Sequence, residues 1–361
     1  MSFLKKVLSF LTKTLVCILF YVGIIKLFNY GINRFQLYKN KKGKIVYFSL
    51  KRRLSNNFQI LIYHSVNNNN DPFFDYSLSV DIFEKQMRYL SQNFCVLKIE
   101  DIVEIIKNEK VIPNNLIAVT FDDGYEDNYL YAYPILRKYS IPATIFCTTG
   151  FIGTKETLWF NKIRMAFKNT NESCLKLKNG VFYPLTTLEE KLHALNSVMK
   201  IVTYLKDKEK TLYINWLINT LKVEDVRNLS MNMLTWEQIK IMSNNSISFG
   251  AHTITHSTLT TLSHEQIMEE VIGSKKIIDK FLGTTVKCFT YPNGKKEDFN
   301  EDIKKILQEA GYSCALTTIE GVNCIGHNMF ELKRIQPWEK SLPLFATKLI
   351  LGKIISETDE N

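Results

Sequence analysis

The chain has no cysteine framework. Its seven cysteines (Cys17, Cys95, Cys147, Cys174, Cys288, Cys314 and Cys324) are odd in number and form no Cys-x-x-Cys pair. Cys147, Cys288 and Cys314 lie inside apolar, strand-like runs. They read as small core hydrophobes and not as a disulfide scaffold, which agrees with a reducing compartment. Acidic residues are missing from positions 1–53, which carry twelve Lys/Arg. The remaining residues hold 34 basic against 36 acidic side chains, so the net charge of +10 belongs to the N-terminal arm and not to the body. A nucleic-acid reader needs a basic body with reading motifs. Neither is present, which excludes nucleic acid as a partner. There is no internal repeat and no low-complexity segment beyond the asparagine run 67–70.

A long apolar run is also missing. The longest in the arm is Thr14–Ile25, 12 residues between Lys13 and Lys26. A straight bilayer span needs ~20 residues, and snorkelling of the two lysines stretches the run to about that length. No small-residue cleavage site follows it, which argues against a removed signal peptide. The flanking lysines argue against a buried core helix. The segment is expected either to span the membrane or to lie in its interface. Nine basic residues from Lys26 to Arg53 follow the run. The positive-inside rule then puts the body on the cytoplasmic side, beside an anionic leaflet that suits the basic arm. Residues 1–57 therefore read as a membrane-associated segment and linker, with contact through 1–53.

From residue 58 onward the pattern alternates. Strands are expected at 58–63, 116–121, 143–147, 248–250, 286–291, 313–317 and 332–335, with helices at 80–93, 100–108, 129–139, 263–282 and 301–310. Ser263 and Gln266 form a capping box at the start of the fourth helix. This rhythm argues for a parallel sheet wrapped by helices. Between about 154 and 245 it breaks into helical patterns, read as an insertion in a catalytic domain of 58–345. Residues 346–361 read as a C-terminal tail.

Chemistry concentrates at two strand ends. Ala118-Val-Thr-Phe-Asp-Asp-Gly-Tyr125 runs from an apolar strand into a tight turn through Asp122 and Asp123. Gly250-Ala-His-Thr-Ile-Thr-His256 supplies two histidines four apart, a spacing that puts both rings on one side of a helix or tight turn. Open α/β sheets carry their ligands at the carboxyl ends of strands. Asp123, His252 and His256 make a good zinc set with one position left open for water. Asp122, next door, is free to act as general base. Either motif alone is weak, since Asp-Asp is usually a solvated turn and a lone histidine is usually structural. Two such motifs at strand ends of one body are much less easily accidental.

Thr120-Phe-Asp-Asp-Gly-Tyr125 and His252-Thr-Ile-Thr-His256-Ser257 resemble the first two motifs of the NodB-type polysaccharide deacetylases, carbohydrate esterase family 4. The resemblance covers about residues 58–340, interrupted by the insertion. It implies a distorted (β/α) barrel, often seven-stranded, and hydrolysis of an N-acetyl group from an amino sugar. It implies Asp122 as base, Asp123, His252 and His256 as ligands of one divalent ion, zinc, and the Tyr125 N–H as a donor to the oxyanion. The third motif departs from the family pattern. Phe289-Thr-Tyr-Pro-Asn-Gly294 has no Arg to orient the base. It is similar instead to the branch that includes the poly-N-acetylglucosamine deacetylases, which places Tyr291, Pro292, Asn293 and Gly294 at the substrate. The family's late Leu-x-His acid is not evident. In that branch an early Tyr-His, here Tyr63-His64, supplies the acid. His327 is a weaker rival, because no strand signal precedes its loop.

The expected partner is an N-acetylated amino-sugar glycan or a lipid-linked sugar, with a formyl group as the alternative leaving acyl. The alternative class is a catalytically inactive carbohydrate-binding protein, against which the complete Asp-Asp-His-His set argues.

Overall fold

Seven strands, short and covered on both faces, form the frame: β1 (Asn57–Tyr63), β2 (Leu116–Phe121), β3 (Ala143–Cys147), β4 (Ile247–Ala251), β5 (Cys288–Thr290), β6 (Cys314–Glu320) and β7 (Leu332–Arg334). The computed structural model describes residues 57–355 except 70, 109–111, 114 and 224–231, together with residue 16. Apart from residue 16, the expected membrane segment therefore lies outside the described residues. Among those described, no helix is long and apolar enough to cross a membrane.

Each strand pairs in parallel with the next. The ring nearly closes where Ile335, just past β7, bridges to Leu61 of β1. Ile335 N–H donates to Ile60 O at 2.7 Å, and Ile62 N–H donates to Ile335 O at 3.1 Å. Two shorter strands flank the ring, Cys95–Val96 on β2 and the antiparallel Asn323–Cys324 on β1. The frame is thus the parallel sheet that the alternating pattern implies, nearly closed into the barrel that the family resemblance implies.

Side chains alternate along a strand, and one set fills the barrel. Phe58, Ile60, Leu116, Ala118, Phe146, Cys288, Cys314, Leu316 and Leu332 form one buried cluster. Helix α1 (Ile99–Lys107) closes the floor by adding Ile99, Ile102 and Val103 to it. The interior is tight enough to dictate Gly250: a Cβ there would sit 2.4 Å from the Phe146 ring and 2.9 Å from Cys288 O. Toward the carboxyl ends of the strands the lining turns polar, with Thr120, Asp122, His252, Thr290 and Arg334 all buried. The packed floor leaves that polar rim as the place for chemistry.

Among the described residues, the insertion holds three helices, α2 (Trp159–Asn169), α3 (Leu188–Thr203) and α4 (Asp207–Thr220), and an antiparallel hairpin, Cys174–Lys176 with Phe182–Pro184. It buries its own core, including Ile163, Phe167, Leu195, Val198 and Leu217. The helix Trp236–Ser243 instead packs Ile239 and Met242 on the barrel. The separately packed part is therefore narrower than 154–245. Residues 346–355 do not form a tail. They belong to α5 (Leu342–Ile355), whose Phe345, Ala346 and Leu349 pack in the main core, and Gln59 Nε2 donates to Leu349 O at 2.7 Å. Their apolarity finds a partner only once β1 is in place, which the linear pattern does not display.

Candidate active site

Asp122 and Asp123 follow directly on β2, and the turn sends their side chains to different partners. Asp123 has φ 74°, in the left-handed region, and Gly124 follows at 84°. His252 and His256 leave β4 in a loop and not in a helix, with Thr253 at φ 67° and His256 at 60°. Such conformations cost a non-glycine residue about 1–3 kcal/mol each and persist only where the surroundings hold them. The reversals bring the two imidazoles together with their centroids 4.8 Å apart.

Asp123 Oδ1 lies 3.5 Å from His252 Nε2 and 3.3 Å from His256 Nε2. One ligand atom from each of the three residues falls within 4.8 Å of the others, and all three side chains are buried. Oδ1 has no hydrogen-bond partner. His252 Nδ1 faces Thr290 O at 2.8 Å and Thr290 Oγ1 at 2.6 Å. A carbonyl can only accept, so Nδ1 carries the proton and the Nε2 lone pair points at the carboxylate. His256 Nε2 faces the same oxygen, and one proton answers only one of the two histidine–carboxylate contacts. A cation answers all three groups, so the donor set fits a divalent ion. Burial opposes charge at Asp123, but His252 and His256 outweigh it and hold the carboxyl well below its usual range. Burial also opposes a charged His252, yet Asp123 and Asp122 raise its pKa.

Asp122 carries the arrangement that sequence reading missed. Both its oxygens are taken by Arg334 of β7, Oδ1 by Nη1 at 2.8 Å and Oδ2 by Nη2 at 2.7 Å. Arg334 is fully buried, and its Nε–H donates to Thr317 O at 2.7 Å. Burial pushes the Asp122 carboxyl up, and Arg334 more than reverses this, so the net shift is downward. The arginine missing from the 289–294 segment is thus supplied by another strand. Its only sequence signal was a cation at an inward-facing position of a short strand.

His64 ends β1 at the same rim. Its ring stacks on Trp338, centroids 6.2 Å apart, and its Nδ1 is buried without a hydrogen-bond partner. Burial lowers its pKa, against the raising pull of Asp123 and Asp122. His327 lies beside Cys324, whose strand pairs with Asn57 at the opposite end of β1. Seven residues of strand separate it from the rim. Tyr125 faces Met233 across an isolated bridge, in which Leu234 N–H binds Gly124 O and Glu126 N–H binds Asn232 O, each at 2.9 Å. The pairing therefore skips the Tyr125 N–H. Tyr291 turns its ring into the core, stacked on Phe299 with its hydroxyl on Phe330 O at 2.9 Å. Pro292 and Gly294 are buried, and Asn293 Nδ2 donates to Thr258 Oγ1 at 2.9 Å. Any contribution from Tyr291 is therefore through its backbone and not its hydroxyl.

A further carboxylate, half-buried, braces the His64 strand end. Asp127 accepts from Ser65 Oγ and from Asn67 Nδ2, while Asn128 Nδ2 donates to His64 O at 2.8 Å. Burial pushes the Asp127 carboxyl up to about 6. A carboxyl raised in the fold contributes stability that is full below its unfolded value and lost as pH rises through the folded one. Relative to Asp127→Asn, the native chain should lose about 2 kcal/mol of stability between pH 4 and pH 7. Urea unfolding at both pH values reads the difference, and a gap that does not change with pH overturns the assignment.

Residues 110–315, more than half the chain, match the family model described as polysaccharide deacetylase. YxkH of Bacillus subtilis (strain 168) is 26% identical over 280 residues, covering 77% of this chain and 70% of YxkH. The poly-beta-1,6-N-acetyl-D-glucosamine N-deacetylase of Staphylococcus aureus (strain MSSA476) is 26% identical over 262 residues, covering 72% of this chain and 68% of the relative. Among solved structures, the Streptococcus pyogenes deacetylase PplD superposes with TM-score 0.55 at 20% identity, covering 82% of this chain and 98% of PplD. IcaB from Ammonifex degensii gives 0.54 at 19%, covering 82% and 97%. These two likenesses speak for the fold. With the family match extending from just before β2 through β5 to the start of β6, the chain belongs to the polysaccharide deacetylases, hydrolases of N-acetyl amide bonds.

Proposed function

We propose that the chain removes N-acetyl groups from an amino-sugar glycan by metal-assisted hydrolysis, with Asp122 as base and Asp123, His252 and His256 as metal ligands. The observation that carries this reading is the convergence of three buried ligand atoms on one point, with Asp123 Oδ1 left without a hydrogen bond. A divalent cation held there, zinc by the nature of the donors, would supply Lewis acidity and acidify a water.

The chain's own groups do the rest. Asp122 takes a proton from the attacking water, and Arg334 fixes both carboxylate oxygens so that the base cannot rotate away. The water oxygen bonds to the acetyl carbon. As the carbonyl oxygen gains charge, the Tyr125 N–H, free of the neighbouring bridge, donates to it. The C–N bond then breaks, and His64 protonates the departing amine. Products are acetate and a free amino sugar: the proton that Asp122 took from water reaches His64 through solvent and leaves on the amine, so Asp122 ends ionised and His64 neutral, as they began. Because burial lowers the His64 pKa, this residue starts neutral at pH 7 and must gain its proton within the cycle.

A polymer of N-acetylglucosamine is the first substrate to test, since the S. aureus relative is named for one. A lipid-linked amino sugar is the second reading. It is favoured by the nine basic residues after the apolar run, which would place the body on the cytoplasmic face of a membrane held through residues 1–53. Purified protein should release acetate from one member of a panel of N-acetylated and N-formylated glycans and lipid-linked sugars. Release should stop on chelation and return with Zn2+, and His64→Gln should slow it by about 10²-fold or more. Formate instead of acetate would overturn the acyl assignment. Turnover that survives complete metal removal would overturn the mechanism.

A further inference from the structure

The two histidines are not held alike. His252 is fixed through its far nitrogen by Thr290. His256 Nδ1 is buried with no hydrogen-bond partner. Ligand imidazoles are ordinarily oriented through that second nitrogen, so His256 must be oriented by other means.

The insertion supplies those means. Trp159, the first residue of α2, donates its indole N–H to His256 O at 3.1 Å. The next residue, Phe160, packs edge-on against the His256 ring, with centroids 5.0 Å apart. Asp207, the first residue of α4, accepts from Ser257 Oγ at 2.9 Å. Thr258 Oγ1 donates to Thr203 O, at the end of α3, at 3.0 Å. The indole is itself pinned, since Lys210 Nζ lies 4.8 Å over its ring, buried and without a hydrogen bond. Its attraction there is to the ring face. All three insertion helices therefore touch His256 or the two residues after it, and His256 holds a left-handed backbone that needs holding.

We propose that the insertion is the positioning device for His256 and sets the affinity of the metal site, with Trp159 and Asp207 as its positioning residues. The proposal rests on the reading that Asp123, His252 and His256 bind a divalent cation. It assigns the segment a task inside the active centre in place of one in packing alone. Trp159→Phe keeps an aromatic ring and deletes the donor. Asp207→Asn weakens the grip on Ser257.

The test measures the Zn2+ dissociation constant of the full-length protein by competition with a chromophoric chelator, and records the visible spectrum of the Co2+ form. Trp159→Phe should bind Zn2+ about 10–100-fold more weakly and should shift the Co2+ bands. Leu195→Ala opens a cavity in the insertion core away from the loop. It should lower thermal stability while leaving the dissociation constant unchanged. If Trp159→Phe does not fold, Ser257→Ala cuts the Asp207 bond from the loop side and takes its place. Wild-type affinity in the Trp159 and Ser257 variants overturns the proposal, as does an equal loss in Leu195→Ala. A wild-type protein that binds no ion overturns instead the metal reading on which the proposal depends.

Discussion

Asp122→Asn slows acetate release by about 10²–10⁴-fold, the span that a positioned general base contributes, and the variant still purifies with metal. The amide keeps the size of the carboxylate but cannot accept the water's proton. Asp123 and the two histidines are untouched by the change, so metal content measured by mass spectrometry should match the native protein. Some stability is lost as well, because the buried Arg334 guanidinium loses its counter-charge. Steady-state rates at saturating substrate separate that effect from catalysis, provided both proteins are folded at the assay temperature. A variant that keeps its rate within a few-fold would falsify the role of Asp122.

Arg334→Met is expected to cost more in stability than Asp122→Asn or Asp127→Asn. Removing one partner of a buried ion pair leaves the other charge uncompensated, at about 3–5 kcal/mol. Asp122 would be that charge, 1% exposed and without its two guanidinium donors. Thr317 O would lose its donor as well. The sign of the pH dependence follows from the shift. In the native protein Arg334 lowers the Asp122 pKa against burial. The pair therefore contributes stability above the unfolded carboxyl value and loses it as pH falls through the folded one. In the variant only His252 and His64 still oppose burial, and that pKa rises. The variant's deficit should therefore be largest near neutral pH and shrink in acid, where Asp122 is protonated in both proteins. The double variant Asp122→Asn/Arg334→Met should recover part of the loss, since replacing both members of a buried pair can be near neutral. Urea unfolding of the four proteins at two pH values measures all of this. A single variant as stable as the native chain would show that the pair is not needed for the fold.

These two residues also show where sequence reading reached and where it stopped. Asp122 was legible because an apolar run that ends in Asp-Asp-Gly puts carboxylates at a strand terminus whatever the rest of the chain does. The histidine motif was legible for the same reason, although its loop is not helical and relies on two left-handed residues. Arg334 was not legible. Family resemblance places a base-orienting arginine in the segment Phe289–Gly294, which has none. The guanidinium comes from β7, where Arg334 shares a face with the apolar Leu332, a pattern of three residues too short to mark that face as inward. The helix Leu342–Ile355 was missed similarly, because its apolar face makes sense only against β1 and the helix Val80–Asn93, far from it in sequence.

Local order alone decided which segments become strands, that the helix at 263 begins with a capping box, and that two acids and two histidines sit at strand ends. Those features depend on side-chain periodicity and on turn chemistry within a few residues. Closure of the sheet decided everything that required two distant segments to meet. The bridge from Ile335 to β1 brings Arg334 onto Asp122, and the insertion folds back so that Trp159 reaches His256. Such contacts arise because a barrel brings its first and last strands side by side, and no pattern along the chain encodes which inward positions will then face each other.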